Sequence, residues 1–320
     1  MVNDASIYTA ASIAALYSNI IHVALPNELT IEYALHGDND APEKVVLIMG
    51  LMSEKEGWAP LLATLLEPGT ATARRYQFLT FDNRGVGGTD KPAEYYSTSQ
   101  MADDALLLMK YVGWSKAHVV GISMGGMIAQ EVASRGPDHV QSLALLVTTP
   151  GGVHMALPHT PQLGGFWELA KLLVGADDPL HTMLYTMYSD AFLETRVDTN
   201  PTMTYRDLLS VFHKERLERT RITASGKKGQ YAACLKHSMS PRRLQAIQKA
   251  GFPILVVGAG QDRLLHFRNT EILYDHLQGE RTTKLIYDTS GHGVLVQERV
   301  ALATALDAHF QTNVLVPQLF

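Results

Sequence analysis

The sequence predicts an α/β protein with a mostly parallel sheet covered by helices on both faces. Three observations carry that reading. Continuous apolar runs such as VVLIMG (45–50) and FPILVVGAG (252–260) end at glycine and suit strands buried on both faces. Segments of helical spacing separate these runs, so strand and helix alternate along most of the chain. From Gly151 to about Gly251 the rhythm breaks, and the sequence there looks helical with no convincing buried strand.

Residues 1–27 read as an N-terminal extension, expected to be a helix packed on the body. Residues 5–25 carry no formal charge, as a signal or anchor segment would. Yet Asp4 precedes them, no Lys or Arg occurs before Lys44, and polar residues interrupt the run. LTIEYAL (29–35) alternates apolar and polar residues, as an edge or antiparallel strand does. VVLIMG is the next strand, and the helix WAPLLATLLEPG closes at Pro68-Gly69. RYQFLTFD (75–82) is a strand that ends in the turn DNRGVGGTD, and SQMADDALLLMKYVGW (99–114) is a helix. AHVVGIS is another strand, MGGMIAQEVASRGP a helix stopped at Gly136-Pro137, and VQSLALLVTTP (140–150) a further strand. LHTMLYTMYSDAFL (180–193) places Leu180, Met183, Leu184, Met187 and Tyr188 at helical spacing. That stripe is core by its pattern, and Met183, Met187 and Tyr188 are also candidates to line an apolar pocket. FPILVVGAG, a helix around 266–278, the strand TKLIYD (283–288) and a last helix near 296–310 complete the chain. Residues 28–150 and 251–320 thus form one doubly wound core, and 151–250 a helical cap inserted into it.

Composition narrows the function. With 320 residues, 46% hydrophobic and 18% charged, the chain is an ordinary globular protein. A net charge of −5 and the lack of a Lys/Arg cluster argue against a nucleic-acid surface. Lys227-Lys228 and Arg242-Arg243 read as isolated pairs on solvated faces. The single cysteine, Cys234, excludes an intramolecular disulfide and reads as a small buried apolar residue. No other stretch is long enough to span a membrane, so a cytoplasmic protein without stable membrane insertion is expected, N-terminal targeting being the other reading. No metal or cofactor is implied, since H-E-x-x-H, a Cys/His cluster at ligand spacing, a P-loop and a dinucleotide fingerprint are all missing.

VVGISMGGMIAQ (119–130) holds a G-x-S-x-G pattern, Gly121 to Gly125, between a predicted strand and a predicted helix. The pattern is weak alone, but this is where a tight turn would present Ser123 as a nucleophile. The helix that follows points its N-terminus at the site and favours negative charge there. A serine hydroxyl needs a base. His292, flanked by Gly291 and Gly293, follows the last predicted strand and faces the same sheet edge. Asp262 follows the preceding strand and is the candidate to orient that histidine; LLVTTPGGVH, after the earlier strand, has no carboxylate to compete. Asp288 reads as a turn residue. The oxyanion donors are expected at the backbone N–H groups of Met124 and Leu51.

Together these residues resemble the α/β-hydrolase fold superfamily from about residue 28 to 310, in a serine-nucleophile, esterase- or lactonase-like form with a helical cap. The carrying features are Gly50-Leu51, the stretch Asp82-Asn83-Arg84-Gly85-Val86-Gly87-Gly88-Thr89, the Gly121–Gly125 elbow, Asp262 and His292. The second stretch matches a D-x-R-G-x-G-x-S turn with Thr89 in the serine position, and the resemblance implies that Asp82 and Arg84 brace loops around the elbow. Many relatives carry a histidine where Met49 stands, and there it helps order the oxyanion loop. The S-M-G-G-M stretch is similar to that of small esterases, enol-lactone hydrolases and cofactor-free perhydrolases.

The expected activity is hydrolysis of a small, apolar ester, lactone or thioester, with water as co-substrate. Carbon–carbon hydrolysis of a diketone-like substrate and perhydrolysis use the same triad. For an acidic substrate Arg196, Arg206, Arg216, Arg219 and Arg221 are cap candidates. Peptidase activity lacks an amine-binding carboxylate cluster, and a non-catalytic ligand receptor on the same fold is the reading from a different class.

Overall fold

The computed structural model describes residues 5–173 and 178–312. Eight of its ten strands form one sheet. They are β1 (Ile20–Ala24), β2 (Thr30–Gly37), β3 (Glu43–Ile48), β4 (Tyr76–Phe81), β5 (Ala117–Ile122), β6 (Val140–Leu146), β9 (Ile254–Ala259) and β10 (Thr282–Tyr287). Between β6 and β9 lie the hairpin strands β7 (Arg196–Val197) and β8 (Asn200–Thr204). The sheet order is β1-β2-β4-β3-β5-β6-β9-β10. β1, β2 and β4 pair antiparallel, and every neighbour from β4 onward is parallel.

The apolar runs explain the core. β4, β5 and β9 have no exposed residue, as strands covered on both faces require. Alternate side chains go to opposite sides. Val45, Leu47, Val120, Leu146 and Val257 join the helices Ala59–Leu65 and Arg299–Gln311 on one face. Val46, Ile48, Val119, Leu145 and Val256 join Thr98–Tyr111, Met124–Arg135 and Arg268–Leu277 on the other.

Register is what positions the site. Ile48 pairs with Gly121, Ile122 with Leu146, Leu146 with Val257, and Ala259 with Tyr287. The carboxyl ends of β3, β5, β6, β9 and β10 therefore stand in one row, and the loops that leave them open onto a single edge.

Two expectations need correction. The extension 1–27 is not simply helical: a short helix, Ala10–Leu16, is followed by β1, which becomes the edge strand of the sheet. Of the polar residues interrupting the uncharged run, His22 is an exposed position of that strand. β2, expected as an edge or antiparallel strand, is antiparallel but lies inside the sheet. Its polar side is buried: Glu32, 2% exposed, is covered by His22 of β1 and by Lys55, and His36, 4% exposed, by Leu16, Tyr17 and Thr80.

Between β6 and β9 the chain forms the helices Thr160–Leu173, Pro179–Met187, Asp190–Leu193, Tyr205–Arg219 and Ala224–Lys236, with the exposed β7–β8 hairpin among them. Thr204 and Asp207 form a capping box that starts the fourth of these helices. The helix Pro241–Lys249, inside the expected 151–250 insertion, packs on Met124–Arg135 and Arg268–Leu277 of the core. Arg243 on it ion-pairs with Glu131 at 2.6 Å, so the Arg242-Arg243 pair is not wholly solvated.

Candidate active site

Ser123 occupies the turn between β5 and the helix Met124–Arg135 with φ 55° and ψ −121°, a conformation costly for a residue with a side chain. The surroundings hold it there. Its N–H donates to the Leu146 carbonyl at 2.9 Å, and its own carbonyl accepts the Gly126 N–H at 2.9 Å and Thr148 Oγ1 at 2.7 Å. The motif's glycines are sterically required: a Cβ on Gly121 would overlap the Gly125 carbonyl, and one on Gly125 the Ile48 carbonyl. Gly50 lies against the serine, since a Cβ there would sit 3.3 Å from Ser123 Cβ.

Asp262 and His292 meet. His292 Nδ1 is 2.7 Å from Asp262 Oδ2, and the two residues are 3% and 2% exposed. Asp262 Oδ1 accepts the N–H groups of Leu264 and Leu265 at 2.7 and 2.9 Å, which clamps the carboxylate in place. An ionised carboxylate at Nδ1 selects the tautomer that leaves Nε2 free to accept a proton. Ser123 stands at the same sheet edge, with no hydrogen bond to His292 among the described residues. Such bonds are often long before substrate binds.

Of the candidate pocket residues, Met187 and Tyr188 reach the histidine loop, while Met183 lies one turn earlier on the helix Pro179–Met187. The Met187 carbonyl accepts the Gly293 N–H at 2.6 Å. Tyr188 packs on Gly293, and its hydroxyl lies 2.7 Å from His213 Nε2. Burial pushes His213 down to about 3, so its ring is neutral. Two open grooves lie elsewhere, one of about 810 Å³ beside Arg84 and Glu94, one of about 760 Å³ beside Tyr95 and Tyr231; neither is lined by Ser123, Asp262 or His292.

The backbone N–H groups of Leu51 and Met124 make no hydrogen bond among the described residues, and Met124 is the first residue of its helix. The loop carrying Leu51 is ordered without a histidine at Met49. Asn83 Nδ2 donates to the Met49 carbonyl at 2.9 Å, and the Met52 N–H donates to Gln230 Oε1 at 2.7 Å. The turn after β4 braces it further. Arg84 makes a two-pronged contact with Asp104, 2.7 Å at each bond, and Asp82 accepts the N–H groups of Lys55 and Gly88 at 2.8 and 2.9 Å.

Sequence reasoning missed Lys55 altogether. Its ammonium is fully buried and pairs with Glu32, with Glu56 at 3.0 Å and with Asp82 at 3.2 Å. Burial opposes the charge, but the carboxylates raise Lys55 to about 12. Burial would likewise raise Glu32, yet Lys55 and Arg221 hold it down to about 2. Another serine–histidine–carboxylate contact joins Ser142, His118 and Glu43 at 2.7 and 3.2 Å. Ser142 lies inside β6 and is fully buried, away from the helix N-terminus, so it is a structural network.

Cys234 is partly buried, and burial pushes its thiol up to about 12, which removes it as a nucleophile. Among the described residues no cluster of His, Cys, Asp or Glu is placed to hold a metal ion, and no helix is long and apolar enough to cross a membrane.

Comparison with known proteins agrees with the fold. Residues 44–173 match the family model of the alpha/beta hydrolase fold. The enol-lactonase of Burkholderia xenovorans superposes with a TM-score of 0.71 at 18% identity, over 91% of this chain and 100% of that one. The fold is the α/β-hydrolase fold. A Mycobacterium tuberculosis protein named as a non-heme bromoperoxidase is 36% identical over 114 residues, 35% of this chain and 41% of its own. A Caulobacter vibrioides protein named as a carbamate hydrolase is 33% identical over 118 residues, again 41% of its length. The chain thus spans about two fifths of the length of these curated relatives, and the family-model segment contains Gly50-Leu51 and the Gly121–Gly125 turn but neither Asp262 nor His292.

Proposed function

We propose that the chain is a serine hydrolase that cleaves a small, apolar carboxylic ester, lactone or thioester through an acyl-enzyme. Ser123 Oγ attacks the carbonyl carbon while His292 Nε2 takes its proton, and Asp262 stabilises the imidazolium. The oxyanion accepts the Leu51 and Met124 N–H groups at the start of a helix. The intermediate collapses as His292 returns the proton to the leaving alcohol or thiol. Water, activated by His292, then releases the acid and restores Ser123. One observation carries the reading: a serine is held at φ 55°, against its own preference, on the sheet edge where a buried aspartate orients a histidine. The named relatives, a carbamate hydrolase and an enol-lactonase among them, support acyl chemistry at such a site.

The test is release of p-nitrophenol from esters of increasing acyl length. Turnover by the wild type and its loss in Ser123→Ala is the expected result. Equal turnover by both proteins overturns the assignment of Ser123.

An acidic substrate, as in the carbon–carbon hydrolase reading, is favoured by Arg216 alone of the five cap arginines. It lies beside Gly57 of the oxyanion-loop segment and 5.2 Å over the Phe212 ring, with no carboxylate at ion-pair distance among the described residues. Arg206 and Arg221 are paired with Glu194 and Glu32, Arg196 bonds the Thr202 carbonyl, and Arg219 is exposed at the end of its helix. Under this reading Arg216→Ala raises KM for esters with an ω-carboxylate and leaves neutral esters unchanged.

A further inference from the structure

On the reading of Ser123 as nucleophile and the Leu51 N–H as oxyanion donor, we propose that Gln230 is a positioning residue that sets the oxyanion loop from the cap side. Met52, one residue beyond Leu51, has φ 55° without being glycine, so the loop needs an external restraint to keep its shape. Gln230 supplies one from the helix Ala224–Lys236. Its side chain is fully buried, with Oε1 accepting the Met52 N–H at 2.7 Å and Nε2 donating to the Arg84 carbonyl at 2.9 Å. A flipped amide would set oxygen against oxygen and N–H against N–H, so both bonds specify one orientation.

Each end of this bridge is anchored. Arg84 is held by its two-pronged contact with Asp104 and lies 5.6 Å over the Tyr96 ring. The helix carrying Gln230 rests directly on that turn, because Gly226 and Gly229 leave no side chain between them: a Cβ on Gly226 would overlap the Gly85 carbonyl, and one on Gly229 the Tyr96 ring. A restraint therefore runs from Asp104 through Arg84 and Gln230 to the peptide that follows Leu51. Holding that peptide plane limits the rotation left to Leu51. The thioether of Met49 cannot donate a hydrogen bond to order this loop, and the cap glutamine orders it by accepting the Met52 N–H instead. Seating of the cap helix and geometry of the oxyanion hole become one property.

Two variants test this. Gln230→Met keeps the length of the side chain and removes both bonds; Gln230→Glu keeps the acceptor, and when protonated it regains the donor. For Gln230→Met, kcat on p-nitrophenyl acetate falls about 10–100-fold, less than the about 10²–10³ that loss of a whole oxyanion donor costs. KM stays within about twofold, as removal of a transition-state interaction requires. Amide hydrogen exchange at Met52 quickens while exchange at Gly88 does not. For Gln230→Glu, the ratio of its kcat to that of the wild type climbs as pH falls from about 8 to about 6, because only the protonated carboxyl both accepts and donates. A Gln230→Met kcat within about twofold of wild type, or a raised KM at constant kcat, overturns the proposal. A flat pH ratio overturns it too, and that ratio decides the matter if Gln230→Met does not fold. Should the wild type turn over no ester, the serine-hydrolase reading has failed, and Met52 exchange alone judges Gln230, unchanged exchange counting against it.

Discussion

At the scale of single residues, the geometry proposed as catalytic rests on groups whose freedom has been removed. Asp262 is held by two backbone N–H groups and its partner ring, so replacing its charge while keeping its shape isolates the electrostatic role. Asp262→Asn is expected to leave the thermal midpoint nearly unchanged and lower kcat by about 10⁴-fold, since the amide favours the wrong histidine tautomer. Steady-state kinetics beside a melting curve check this; a fall of less than tenfold would remove Asp262 from the triad. Gly125→Ala acts differently. The added methyl meets the Ile48 carbonyl, so the elbow helix must move off β3 at a cost of about 1–3 kcal/mol, read by urea denaturation.

At the scale of elements, the buried Lys55 joins its own segment to β2 through Glu32 and to the turn after β4 through Asp82, with Glu56 beside it. Removing the ammonium leaves Glu32 and Asp82 buried without their main counter-charge. Lys55→Met is therefore expected to cost about 3–5 kcal/mol of unfolding free energy. The same variant combined with Glu32→Gln recovers part of the loss, which a double-mutant cycle measures. Additive losses would show that Lys55 and Glu32 are not coupled.

At the scale of the whole molecule, several buried histidines are held neutral. Burial lowers His36 and His237 to about 4 and His213 and His309 to about 3, against 6.5 in an open chain. Below pH 6.5 the unfolded chain takes up protons that the native state refuses, so acid favours unfolding. Their contribution to stability is present above pH 6.5 and is lost as pH falls towards 4 and then 3. Glu32 adds to the loss below 4.5, its open-chain value, down to about 2. Melting curves between pH 7.5 and 5 are expected to show a steady fall in midpoint, shallower in His309→Gln; a pH-independent midpoint would contradict it.

What the sequence by itself determined was everything written in local pattern. Apolar runs ending at glycine marked several of the strands, and helical spacing between them required a mostly parallel sheet with the carboxyl ends of its parallel strands at one edge. Given that edge, the positions of Ser123, Asp262 and His292 after three different strands were legible, as were the glycines flanking the serine. Only the tertiary structure decided which polar residues meet around the candidate site. Gln230 and Met52 stand 178 positions apart, and a glutamine on a helix carries no local sign of what its amide will meet. Glu32 is one polar residue of an alternating strand, and nothing in that alternation shows that β1 and Lys55 cover it. The physical reason is the same for both: periodicity reports which side of an element is apolar, whereas the partner of a buried polar group is set by elements far away in the chain that happen to pack over it.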